Sequence, residues 1–275
     1  MFRAIPRADA RSRAAAFFDL DKTVIAKSSA LAFGRSFYTS GLIDRRAALK
    51  SAYAQLVFSL AGADHQQMDK MRDAMTAMCR GWDAAQVRQI VDETLHDLID
   101  PLVYDEAVAL IEEHHRAGRD VVIVSSSGAE IVGPIGGLLG VDEVVASRMQ
   151  IEDGRYTGEI AFYAYGPHKA EAIRDLAADR GYDLGRCYAY SDSITDLPML
   201  EVVGHPTAVN PDRALRRAAA ERAWPVLDFH RPVRLRARLP RLAVPPHPVA
   251  AGVGVGLATG AVVGAAYLLR RRRTA

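Results

Sequence analysis

Three observations predict an α/β fold with a Rossmann-like, mainly parallel sheet. Short apolar runs at 14–18, 121–124, 187–190 and 207–209 alternate with helical stretches, the order expected when crossover helices join the strands. The run Val121-Val122-Ile123-Val124 is continuous rather than alternating, as in a strand covered on both faces. Finally, the runs stop at polar residues: Asp19 and Asp21, then Ser125 to Ser127, then Ser191 to Asp196. Ligands of open parallel sheets bind at the carboxyl ends of the strands, so these residues are delivered to a crevice rather than to the core.

The first strand, Ala14 to Phe18, ends in two carboxylates separated by Leu20. Asp19 and Asp21 can both face the crevice if the chain begins to turn between them; one could then attack while the other handles protons. The next eighty or so residues read as helices over Ala30–Tyr38, Arg45–Leu60, Gln66–Arg80 and Ala84–Leu98, an insertion over the strand ends. Met68, Met71, Met75 and Met78 recur at helical spacing and mark a packing face, although methionine can also line a variable pocket.

An amphipathic helix over Tyr104–Ala117 is closed by Gly118, in the position of a C-cap. Within it, His114 and His115 are neighbours and point about 100° apart. They are therefore read as surface residues and not as a metal pair. Met149 to Ile160 form a hairpin turned at Asp153-Gly154. A helix over His168–Arg180 leads to the strand Cys187–Tyr190, a short strand lies at Thr207–Val209, and Asn210-Pro211-Asp212 opens a helix ending before Trp224.

With 275 residues, a quarter of them charged and about half hydrophobic, the chain can build real cores, and a disordered or disulfide-built protein is excluded. Cys79 and Cys187 lie far apart without metal-type spacing and are expected as free thiols in a reducing compartment. The net charge of +2 is uneven. Residues 230–275 carry nine arginines and no acid, and residues 1–13 carry four arginines against Asp9, which leaves −10 on residues 14–229. An acidic body argues against a general nucleic-acid surface.

Asp19-Leu20-Asp21-Lys22-Thr23 resembles D-x-D-x-T, the first motif of the haloacid dehalogenase (HAD) superfamily of phosphohydrolases. Three further motifs follow in order: Ser125 after the second strand, Lys169 at a helix start, and Asp192 with Asp196 after the third. The likeness runs over about residues 15–229. The stretches 122–127, 152–158 and 209–212 are most similar to subfamily IB, the phosphoserine-phosphatase-like group. Read singly, Ser125 could be a helix N-cap and Lys169 a solvated lysine; four motifs in order reverse that reading.

The resemblance implies a core of residues 1–26 and 104–229 and a helical cap of 27–103 that closes over a phosphomonoester substrate. It implies Asp19 as nucleophile through an aspartyl-phosphate and Asp21 as general acid and then base. Ser125 and Lys169 would bind the phosphate. Asp19, the backbone carbonyl of Asp21, and Asp192 would bind Mg2+, with Thr23 and Asp196 supporting them. One departure limits the substrate: phosphoserine phosphatases usually carry a glutamate nine residues after the nucleophile, and here that position is Ser28. Lys27 could favour an anionic substrate or simply be solvated.

Residues 230–248 are rich in Arg and Pro, a linker composition. Residues 249–269 are 21 in number without a charge, long enough to cross a bilayer once, the alternative being a buried or surface-lying helix. The basic stretch Met1 to Arg13 leads into an apolar run too short for a signal-peptide core, so the expected protein is membrane-anchored with its catalytic body in the cytoplasm. Gly252, Gly256, Gly260 and Gly264 recur every fourth residue, the spacing of small-residue helix contacts and so of a homodimer. The expected function is a membrane-tethered, magnesium-dependent phosphomonoester hydrolase acting on a small metabolite or a lipid-linked phosphate. The alternative is a phosphatase-like regulatory protein with little turnover. A cation pump, which shares Asp-Lys-Thr, is set aside because one span makes no ion pathway.

Overall fold

The computed structural model describes residues 13–43, 73, 76–230 and 232. Its strands are β1 (Ala15–Phe18), β2 (Asp120–Gly128), β3 (Glu143–Glu152), β4 (Arg155–Phe162), β5 (Tyr188–Ser191), β6 (His205–Val209) and β7 (Val226–Leu227). Its helices are α1 (Ser29–Thr39), α2 (Ala84–Ile99), α3 (Asp105–Arg116), α4 (Ala129–Leu139), α5 (Pro167–Arg180), α6 (Leu197–Glu201) and α7 (Arg213–Glu221).

The strands form one sheet in the order β4-β3-β2-β1-β5-β6-β7. Every pairing is parallel except β3 with β4. β1 is central, with β2 on one side and β5 on the other, so the strand order reverses between β1 and β5. A crevice opens at such a reversal, beyond the carboxyl ends of the two strands. Asp19 and Asp192 are the residues that follow those ends.

β1 is apolar throughout because both of its faces are covered. Phe17 packs with Ile173 of α5, Met199 and Leu200 of α6 and Leu215 of α7. Phe18 points the other way, stacking on Tyr190 at 4.5 Å and meeting the edge of His114 on α3. Burying each ring stabilises the fold by about 1.5–3 kcal/mol. β1 is thereby anchored from both sides directly before the residue it presents to the crevice.

α1 and α2 lie in the chain between β1 and β2, and the two ends of this insertion are tied together. Ala26 N–H donates to Leu102 O at 2.8 Å and Tyr104 N–H to Val24 O at 3.0 Å. Phe33 and Phe37 of α1 are buried, as are Val87, Ile90, Val91 and Ile99 of α2, and Phe37 also meets Trp82 at 5.8 Å. The β3–β4 hairpin holds the start of α2: Ala84 N–H donates to Gly154 O at 3.0 Å and Gly81 N–H to Tyr156 O at 2.8 Å. That hairpin turns at Asp153 and Gly154, both at positive φ, the pairing a two-residue turn demands.

Several sequence expectations need correction. β2 does not stop at Val124 but runs on through the serines to Gly128, with a register shift against β3 between Ser125 and Gly128. β3 begins at Glu143, and its first half pairs parallel with β2. A helix, α4, occupies 129–139 where none was expected. His114 is not a surface residue: it is 2 % exposed, with Nε2 2.9 Å from the Tyr190 hydroxyl and Nδ1 accepting from Arg119 Nε at 2.7 Å. His115 is the exposed neighbour, bonded to Asp142.

Burial, with Arg119 and His115 adding repulsion, pushes the His114 pKa down to about 4. The folded state therefore holds it neutral, whereas an unfolded histidine takes up a proton below about 6.5. Stability falls as pH drops from about 6.5 toward 4. His114→Gln is expected to flatten the pH dependence of Tm across that window; a curve parallel to the parent's would show that other groups drive it.

Cys79 and Cys187 are free thiols. Among the described residues no helix is long and apolar enough to cross a membrane. The span expected at 249–269, its Gly252, Gly256, Gly260 and Gly264 face and the helix expected over Arg45–Leu60 lie outside the described residues, as do most of the linker and of the Gln66–Arg80 helix.

Candidate active site

Asp19 continues the β1 ladder by one residue, its N–H donating to Tyr190 O at 2.9 Å. The chain then reverses through Lys22, whose φ of +63° is left-handed, an uncommon conformation for a side-chain-bearing residue and one worth reading as functional. The turn closes with Val24 and Ile25 N–H both donating to Leu20 O. Leu20, Val24 and Ile25 bury their side chains, so the polar residues of the turn, Asp19, Asp21 and Thr23, are left on the crevice side.

Lys169 comes from the first turn of α5. Gly166, at a positive φ, and Pro167 start that helix, Pro being suited to the first helical position. The ammonium is 2 % exposed and lies 2.7 Å from Asp19 Oδ1 and 2.7 Å from Asp196 Oδ2. Thr23 Oγ1 donates to Asp19 Oδ2 at 3.3 Å. Asp196 stands at the end of a single 3-10 turn, and Ser191 Oγ donates to its Oδ2 at 2.7 Å.

Asp192 follows β5. Its loop is fixed by Asp212, whose N–H donates to Asp192 O at 2.7 Å and whose carboxylate accepts from Ile194 N–H and caps α7 through Leu215 N–H. Ser125 sits in β2, 1 % exposed, and its Oγ accepts from Ser127 N–H at 3.2 Å; accepting that bond leaves its own O–H to donate. Asp21 is half-buried and accepts from Ser29 N–H at 2.8 Å and from Ser127 Oγ at 3.1 Å.

The electrostatics are unbalanced toward negative charge. Burial pushes the Asp19 carboxyl up to about 8; Lys169 opposes that shift, and Asp196 and Asp192 add to it. Asp192 is pushed up to about 7 by burial, with Lys22 opposing. Lys169 is held protonated by Asp19 and Asp196 despite its burial. One buried ammonium thus faces three acids, an arrangement that stores repulsion and favours the arrival of a further cation.

The site brings Asp19, Thr23, Lys169 and Asp196 into direct contact. Asp192 lies close enough to shift the Asp19 pKa, and Asp21 and Ser125 are joined to one another through Ser127. Four participants escaped the sequence reading. Ser29, Ser127 and Ser191 are common residues whose role depends on distant partners. Asp212 has a local signal, Asn-Pro-Asp before a helix in a stretch similar to subfamily IB, but neither feature shows that it holds the loop bearing Asp192.

A parallel sheet with a buried aspartate, lysine and second aspartate at its topological switch is the frame of a phosphohydrolase. A family model of haloacid dehalogenase-like hydrolases matches residues 16–201, and the chain belongs to that family as one of its phosphatases. It is 66% identical over 262 residues to the "Inhibition of morphological differentiation protein" of Streptomyces azureus, spanning 95% of each chain. It is 62% identical over 263 residues to a "Probable phosphatase" of Mycobacterium tuberculosis, spanning 95% of this chain and 91% of that one. A "Phosphoserine phosphatase" of the same organism is 34% identical over 262 residues, 94% of this chain and 81% of its own.

Proposed function

We propose that this chain hydrolyses phosphomonoesters in two steps through an aspartyl-phosphate on Asp19, with Mg2+ bound beside it. The observation that carries the reading is Asp19 itself, buried at the switch point, 2.7 Å from Lys169, with a second carboxylate two residues on. Phosphoryl transfer is mainly a matter of in-line positioning and charge neutralisation. An Asp19 carboxylate oxygen attacks phosphorus and the ester P–O bond breaks, while Asp21 gives its proton to the departing alkoxide. Asp21 then takes a proton from water as the water oxygen attacks phosphorus, the Asp19–phosphorus bond breaks, and inorganic phosphate leaves. Lys169 holds positive charge against the phosphoryl oxygens, and Ser125 donates its O–H to one of them.

The donors available to a metal are Asp19, Asp192 and the Asp21 carbonyl, all oxygen. Among the described residues no three His, Cys, Asp or Glu side chains converge to hold an ion. Two carboxylates and a carbonyl suit a hard cation that keeps several waters, as Mg2+ does. When bound, it would offset the repulsion between Asp19 and a phosphate dianion. In the same reading residues 27–103 form the cap that selects the substrate, and 249–269 tether a cytoplasmic body to the membrane. The substrate is a small metabolite or a lipid-linked phosphate. Ser28, at the start of α1, brings no carboxylate for the ammonium of phosphoserine.

The name of the Streptomyces relative speaks for a regulatory consequence. The intact Asp19, Asp21, Lys169 and Asp192 set speaks for turnover as its means. The test is phosphate release by the full chain in detergent across a panel including phosphoserine and lysophosphatidate. Release is expected with magnesium, loss with EDTA, and recovery on adding the ion back. In parallel, magnesium should raise Tm, because an ion bound only by the folded state stabilises it. A folded protein that shifts in Tm but turns over nothing would favour the binding reading.

A further inference from the structure

We infer that Ser127 and Ser29 form a clamp that sets the position of the acid–base carboxylate Asp21, and that this clamp joins the inserted helices to the sheet. The inference rests on the reading above, in which Asp21 protonates the leaving group.

Each oxygen of Asp21 has its own donor, and the donors come from different parts of the chain. Oδ1 accepts from the backbone N–H of Ser29, the first residue of α1, at 2.8 Å. Oδ2 accepts from Ser127 Oγ, on β2, at 3.1 Å. The donors are themselves connected, Ser29 Oγ donating to Ser127 Oγ at 2.9 Å. Ser29 is fully buried, so its hydroxyl has no water to turn to, and the three groups form one chain from Ser29 to Ser127 to Asp21. Linked donors of this kind polarise one another and resist rotation together.

An aspartate needs such a clamp here. The terminal torsion of a carboxylate is broad and roughly two-fold, and Asp21 adjoins the left-handed turn at Lys22. Proton delivery requires hydrogen-bond reach to the leaving oxygen, and a misplacement of 1 Å can cost about 100-fold. Two donors from two directions fix the carboxylate plane. Since Ser29 opens α1 and Ser127 belongs to β2, any displacement of α1 from the sheet pulls the clamp apart. Ser29 and Ser127 are positioning residues: they act through Asp21.

The test compares two esters of similar shape in the full-length, magnesium-loaded protein. p-Nitrophenyl phosphate releases a stable anion, whereas phenyl phosphate releases a group that depends more on protonation. Ser127→Ala is expected to lower the phenyl-to-nitrophenyl ratio of kcat/KM by about tenfold. Ser127→Thr, which keeps the hydroxyl, should restore most of the ratio, and Ser29→Ala, which keeps the N–H, should lower it less than Ser127→Ala does. A purely structural role would depress both esters together and leave the ratio alone. Asp21→Asn separates the two levels of the argument. If it leaves the ratio unchanged, Asp21 is not the acid, and the acid–base role proposed above falls while hydrolysis through Asp19 stands. If it lowers the ratio while folded Ser127→Ala does not, the clamp alone is overturned. Should Ser127→Ala fail to fold, Ser127→Cys, close in size and a weak donor, carries the same comparison.

Discussion

Asp19→Asn is expected to abolish phosphate release, by about 10⁴-fold or more, while making the metal-free protein more stable. The loss follows from chemistry: an amide oxygen is a poor nucleophile, and removing the covalent step leaves only the binding contributions. The gain follows from charge. An unfolded aspartate ionises near 3.9, whereas Asp19 in the fold is pushed up to about 8, chiefly by burial. Between those values the folded state binds the extra proton, so the unfolding free energy falls as pH rises through the window. At pH 8 the parent carries most of the penalty of a buried charge and the asparagine variant carries none.

Thermal melts in EDTA should therefore show Asp19→Asn above the parent at pH 8, with the gap closing toward pH 4. A constant gap would show that the charge is not its cause, and retained turnover would place the nucleophile elsewhere. With Asp19 and Asp192 as the proposed Mg2+ ligands, magnesium should reverse the order at pH 8, because the variant would keep Asp192 as its one carboxylate ligand.

The parts of this protein that were legible in its sequence are those in which the chemistry is local. A strand that ends in Asp-x-Asp announces its direction, and Asp153-Gly154 between two apolar stretches announces a hairpin. What escaped depends on partners far along the chain. Helix α4 contains Gly133, Pro134, Gly136 and Gly137, a composition with poor helix propensity. It forms because it packs closely: a Cβ on Gly136 would lie 2.5 Å from Val144 Cγ2 on β3. The glycines that weaken the helix in isolation are what let it lie against the sheet.

His114 shows the same limit from the other direction. As one of two adjacent histidines on an amphipathic helix it looked exposed, yet Phe18, Tyr188 and Tyr190 enclose it. In the crevice, the sequence pointed to Asp19, Asp21 and Asp192 by their place at strand ends and to Lys169 by the family resemblance. It could not show that Ser29 and Ser127, 98 residues apart, meet on Asp21, or that Asp212 fixes the loop bearing Asp192.

Lys169→Met is expected to have the largest effect on the fold together with a loss of turnover. Lys169 is the ammonium that Asp19 and Asp196 both contact, 2.7 Å from each and buried with them. Removing it leaves two carboxylates facing one another without compensation, and breaking a buried pair in this way costs about 3–5 kcal/mol. Protonation of one acid can relieve part of that cost, so the destabilisation should be largest at high pH and shrink as pH falls. In the proposed mechanism phosphate binding fails for a related reason, since the positive charge beside Asp19 is gone. The double variant Asp19→Asn, Lys169→Met separates the two effects. It leaves Asp196 with the Ser191 hydroxyl as its donor at 2.7 Å and removes the opposing charge. Its Tm should recover most of the loss while its turnover stays absent, a coupling that a double-mutant cycle measures directly. A single Lys169→Met variant that melts with the parent at pH 8 would mean that the two carboxylates share a proton there, and that the lysine serves the phosphate rather than the fold.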